Sequence, residues 1–173
     1  MEINLFHVSS HENINDFLRN KQIRLSNHPY DDKWLGCGMY FWDNLGNANF
    51  WKLEKEKKSI DCTILKCPAF IEEDDLLDLT DNDILNTYEE IINQPMFRSL
   101  IKDEKYSFGQ KIDFICSLFH KSIVKGYGKY QYKIHDFLYG SRLTNQVKCV
   151  YCIKQDFDIN NLKLSNSNKL EEN

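Results

Sequence analysis

Residues 34–51 read WLGCGMYFWDNLGNANFW, and the fold reading starts from them. Gly36 and Gly38 bracket a turn. Met39–Trp42 is a run of bulky apolar and aromatic side chains suited to a strand. Over residues 44–58 the pattern turns helical, with Leu45, Ala48, Phe50, Trp51 and Leu53 as the apolar side and EKEKK (54–58) as a solvated end.

Upstream, INLFHV (3–8) reads as a first strand ending in the polar SSHEN, and a helix follows over 12–20 with Ile14, Phe17 and Leu18 on one face. IRLS (23–26) suggests a brief strand and NHPYDD (27–32) a loop. Downstream, CTILKCPAFI (62–71) is an extended run in which Pro68 implies an edge position or a bulge. The acidic EEDDLLDLTDND (72–83) reads as a solvated loop that caps a helix over 81–93 through Thr80 or Asp81. A second long helix is expected over 108–123, with Ile112, Ile115, Cys116, Phe119 and Ile123 at helical spacing. The stretch 124–145 carries turn signals and Tyr/Lys alternation, and VKCVYCIK (147–154) is the last strand. Strands toward both ends with helices between them give an α+β class. A single domain is expected over 1–164, with 165–173 as a flexible polar tail.

The composition bounds the function. With 173 residues, 42% hydrophobic and 28% charged, the chain has material for one real core, and a total of 7 Gly and 3 Pro excludes low-complexity classes. The net charge of −4 removes the simplest argument for nucleic-acid binding. No apolar run nears the ~20 residues of a membrane span, and MEINLFHVSSHEN lacks a signal-peptide pattern, so a soluble cytoplasmic protein is expected. The six cysteines (37, 62, 67, 116, 149 and 152) read as small buried hydrophobes rather than a metal site. Cys149 and Cys152, three apart on a strand, point to opposite faces. His7 and His11 form H-x-x-x-H without the glutamate a zinc hydrolase uses, and no phosphate-binding P-loop motif is present.

Three pieces carry chemistry when taken together: LFHVSS (5–10), a histidine at a strand end before two hydroxyl residues; GCGMYFW (36–42); and TNQ (144–146), opening the strand from Val147. In order and spacing they resemble the ADP-ribosyltransferase fold, in its diphtheria-toxin and poly(ADP-ribose) polymerase-like branch. The stretch AFIEEDDLLDLTD and the helix after it also look like small prokaryotic members linked to toxin–antitoxin and phage-defence systems. The resemblance implies two small mixed or antiparallel sheets packed around an NAD cleft, with helices inserted between strands. It further implies that NAD⁺ is cleaved and ADP-ribose passed to a protein, DNA or RNA acceptor, with a cognate antitoxin as a further partner. His7, Tyr40 and Gln146 are the catalytic positions it implies. Within that frame His7 would bond the adenosine ribose, the Val8 backbone would pair with the nicotinamide amide, and Ser9 or Ser10 would support it. Tyr40 would stack on the nicotinamide ring, Gly36 and Gly38 would let the backbone approach, and Arg142 would meet the pyrophosphate.

Two departures stand out. Val8 replaces the glycine many relatives carry, which narrows the pocket floor. Gln146 stands where a catalytic glutamate is common; it keeps a hydrogen bond but loses the charge that offsets an oxocarbenium-like centre. Asp136 is the alternative source of a carboxylate. Lys125, Lys129 and Lys133, interleaved with Tyr127, Tyr130, Tyr132 and Tyr139, are the expected acceptor contacts. Two other readings stay open: an inactive nucleotide-binding or interaction module, and an RNA-targeting toxin that needs no NAD⁺.

Overall fold

The computed structural model describes residues 1–26, 34–100, 106–130, 136–142 and 144–170, and these form an α+β structure. The strands are β1 (Glu2–Ser9), β2 (Met39–Trp42), β3 (Thr63–Phe70), β4 (Leu76–Asp78), β5 (Ile123–Lys129), β6 (Val147–Ile153) and β7 (Lys169–Leu170). The helices are α1 (His11–Asn20), α2 (Leu45–Glu56), α3 (Asn82–Asn93), α4 (Pro95–Leu100) and α5 (Phe108–Phe119). The strands lie in one mixed sheet of order β4-β5-β6-β2-β1-β3-β7, where two sheets were expected. The pairings are antiparallel except β4–β5.

Because side chains alternate along a strand, each face of the sheet gathers its own core. Leu5, Met39, Phe41, Leu65, Tyr151 and Ile153 belong to one, covered by Ile14 and Phe17 of α1 and by Phe157 and Leu162. Phe6, Val8, Trp42, Ile64, Val124, Val150 and Cys152 belong to the other, covered by Ala48 of α2 and by Ile112, Ile115 and Cys116 of α5. Cys149 packs on the first face and Cys152 in the second core.

Several expectations need correction. IRLS forms no strand. The acidic stretch holds β4 where a solvated loop was expected, while the expected capping of α3 is found, with Asp81 of the two candidates accepting hydrogen bonds from the backbone of Asp83 (2.8 Å) and Ile84 (3.3 Å). The second long helix stops at Phe119, where His120 takes a left-handed conformation (φ 53°), so Ile123 opens β5 instead of closing the helix. Of the apolar side expected for α2, Ala48 is buried, whereas Leu45 and Leu53 are exposed. Pro68 sits within β3 with its carbonyl turned away from β1 to accept from Lys163 N (2.8 Å), so its missing N–H costs the β1–β3 ladder nothing. Lys169 and Leu170, placed in the expected flexible tail, pair with Leu65 and Ile64. The NHPYDD loop lies outside the described residues. No helix among the described residues is long and apolar enough to cross a membrane.

Candidate functional site at the β1–β2 seam

The middle of the sheet is sparsely paired. β1 runs in register with β3 from Glu2 to Ser9, and β5 with β6 from Ile123 to Lys129, but β1 meets β2 at the single pair Phe6↔Trp42. Continuing that register puts Val8 opposite Tyr40. Backbone groups alternate in direction along a strand, so in an unbroken ladder these two would be next to exchange hydrogen bonds. Two side chains occupy their carbonyls instead. His7 Nδ1 donates to the Tyr40 carbonyl (2.8 Å), and Lys55 Nζ, from the last turn of α2, donates to the Val8 carbonyl (3.0 Å).

This geometry fixes the chemistry of His7. A carbonyl only accepts, so the proton lies on Nδ1 and Nε2 presents a lone pair. Burial, only partly offset by the Tyr40 hydrogen bond, drops the imidazole pKa to about 4, with the Lys55 charge pushing the same way. The ring is therefore neutral at pH 7. It lies 5.3 Å from the Phe41 ring, on the first face of the sheet. Beyond it Asn13 Nδ2 donates to Ser9 Oγ (3.1 Å), Arg24 bonds Asn13 Oδ1, and Ser10 caps α1. Val8 turns its side chain into the second core and keeps its N–H on the same side as its carbonyl, toward the seam.

The other expected site residues are spread more widely. Tyr40 adjoins the seam through its carbonyl, but its ring packs on the second face and its hydroxyl donates to the Gly36 carbonyl (2.5 Å). The imidazole and the phenol thus border the seam from opposite faces and do not meet across one crevice. Gly36 and Gly38 answer a packing need. At Gly36 (φ 80°) a Cβ would strike the Asp113 carboxylate, and at Gly38 it would strike Cys152 and the Ile153 carbonyl. Gln146 accepts from Tyr130 N (2.7 Å) just before β6. The β6 residue opposite Tyr40 is Cys152. That leaves Gln146 roughly 20 Å away along the strand, at about 3.3 Å per residue. Arg142 is exposed in the β5–β6 connection, and so is Asp136, in a single 3-10 turn. The structure therefore gathers His7, Val8, Ser9 and Tyr40 around the seam and leaves Gln146 and Arg142 elsewhere.

Of the expected acceptor contacts, Lys125 is paired with Asp78 (2.7 Å), while Tyr127, Lys129 and Tyr139 are exposed. Tyr130 packs among Trp34, Trp42 and Phe50. Tyr132 and Lys133 lie outside the described residues. On the far side of the Phe6–Trp42 pair the seam opens again, into a cavity of about 320 Å³ lined by Ile3, Asn4, Phe6, residues 43–45 and Tyr151.

Sequence reasoning missed two lysines. Lys154, buried at the end of β6, donates to the carbonyls of Leu35 (2.6 Å) and Cys37 (3.0 Å) and to Asp113 (2.7 Å), whose carboxylate in turn accepts from Cys37 N. This clamp holds the glycine turn ahead of β2. Burial alone would lower the Lys154 ammonium, but its pKa is held above the usual lysine value, with the hydrogen bond and charge of Asp113 acting against burial. Lys55 is the other, and nothing in the EKEKK run marked it as turning inward. Burial pushes the Cys67 and Cys152 thiols up to about 12, so both stay protonated and inert as nucleophiles. No cluster of His, Cys, Asp or Glu among the described residues is arranged to hold a metal ion. No family model, curated protein or solved structure matches the chain.

Proposed function

We propose that this chain is an NAD⁺-cleaving ADP-ribosyltransferase that passes ADP-ribose to a macromolecular acceptor, as a toxin or defence effector. The observation that carries the reading is the strand edge opened at Val8. A planar primary amide needs one donor and one acceptor side by side, and the Val8 N–H and carbonyl supply that pair. The neutral His7 beside them offers Nε2 to a hydroxyl, which suits a ribose. The Tyr40 ring lies on the opposite face and adds nothing to this edge. NAD⁺ combines a primary amide and ribose hydroxyls in one ligand.

One observation favours a second reading, a nucleotide-binding module without turnover. Among the described residues no carboxylate is hydrogen-bonded or ion-paired to His7, Val8 or Lys55, and cleavage of the glycosidic bond develops positive charge that a carboxylate would stabilise. Purified protein incubated with adenylate-labelled NAD⁺ and cell lysate separates the readings. A transferase releases nicotinamide and labels an acceptor, and His7→Ala reduces both at least about tenfold, in line with loss of one well-aimed hydrogen bond. Calorimetric NAD⁺ binding without nicotinamide release supports the second reading, and absence of both binding and release rejects each.

A further inference from the structure

We infer that Lys55 is a displaceable latch on the seam: its ammonium occupies the Val8 carbonyl that a ligand's primary amide takes on binding. The inference rests on the reading of Val8 as the amide-binding edge and adds what controls access to it. The two inward lysines differ sharply. Lys154 gives its three N–H groups to two carbonyls and a carboxylate, the arrangement expected of a structural buried cation. Lys55 has one hydrogen-bond acceptor for its ammonium among the described residues, the Val8 carbonyl, and no carboxylate partner.

Burial lowers the Lys55 pKa, so its charged form is held where it is poorly compensated. Its neighbour His7 is neutral and offers no countercharge. An incoming amide would replace the one hydrogen bond from Lys55 with two, its N–H to the Val8 carbonyl and its carbonyl to the Val8 N–H. The lysine side chain is long and flexible and stands on the last turn of α2, so the ammonium can retract toward water without moving the helix. A carboxylate analogue cannot donate to the Val8 carbonyl, but it pairs with the ammonium itself. The latch therefore discriminates against amides and in favour of acids.

Nicotinamide and nicotinate are the probes, titrated into the wild type and Lys55→Met. The expected result is that Lys55→Met binds nicotinamide at least about fivefold more tightly and nicotinate more weakly. Unchanged nicotinamide affinity, or equal shifts for both probes, overturns the latch while leaving the amide edge standing. Nicotinamide bound by neither protein overturns the amide edge and the latch with it. A measurement on the unaltered protein covers the case in which the variant does not fold. Nicotinamide should speed acetylation of Lys55 by an N-hydroxysuccinimide ester, followed by peptide mass spectrometry, and no acceleration overturns the latch.

Discussion

His7 ties ionisation to folding. In the fold its pKa is about 4, below the ordinary 6.5, so the neutral form is the native one. The unfolded chain takes up the proton first as the pH falls. The contribution is therefore complete above about pH 6.5 and is lost progressively down to about pH 4, to the extent of about 3 kcal/mol at 1.36 kcal/mol per unit. Carboxylates also titrate in this range, so the useful quantity is the difference between the wild type and His7→Gln. By urea denaturation that difference should change by about 1–3 kcal/mol between pH 7 and pH 4.5, in the direction of the wild type losing more stability. A difference constant with pH would mean that His7 is not held neutral. The sequence marked His7 as a strand-end residue with hydroxyl neighbours. Its neutrality was not legible there, because it comes from the Tyr40 carbonyl and from burial that only the assembled sheet provides.

The elements were legible where side-chain periodicity was clear. β1, β2, β6 and α1 fall within a residue or so of their expected bounds, since their apolar positions repeat with a period that one conformation satisfies. β5 was missed because VKGYGK carries two glycines, which ordinarily signal turns. In the structure those glycines clear room for other side chains: a Cβ at Gly126 would lie 2.9 Å from Leu35, and one at Gly128 would lie 2.9 Å from the Trp34 ring. The reason for the glycines thus lies in contacts far upstream in the chain, which no local pattern reports. Gly128→Val should favour the strand conformation locally yet destabilise the protein by about 1–3 kcal/mol through overpacking against Trp34. Chemical denaturation would show this, and a neutral or stabilising result would mean the indole moves aside freely. Lys55 was illegible for a related reason. Within EKEKK it looks like any solvated lysine, and its inward turn depends on a carbonyl left open by another strand.

The whole sheet divides at its centre, with β1, β3 and β7 on one side of the seam and β2, β6, β5 and β4 on the other. Local stability should follow that division. The Val8 amide faces the seam, whereas the amides of Leu5 and His7 turn toward β3, so Val8 should exchange its hydrogen at least about tenfold faster than either. Native-state exchange followed by NMR checks this, and equal protection across the three would show a closed ladder. The same topology gives β2 partners far apart in the chain: Trp42 pairs with Phe6 before it, and Phe41 with Tyr151 long after it. Such distant pairing closes slowly, because the loop entropy must be met before the contacts form. Until Val147–Ile153 docks, Met39–Trp42 therefore keeps an open flank, an interval in which aggregation competes with completion of the sheet.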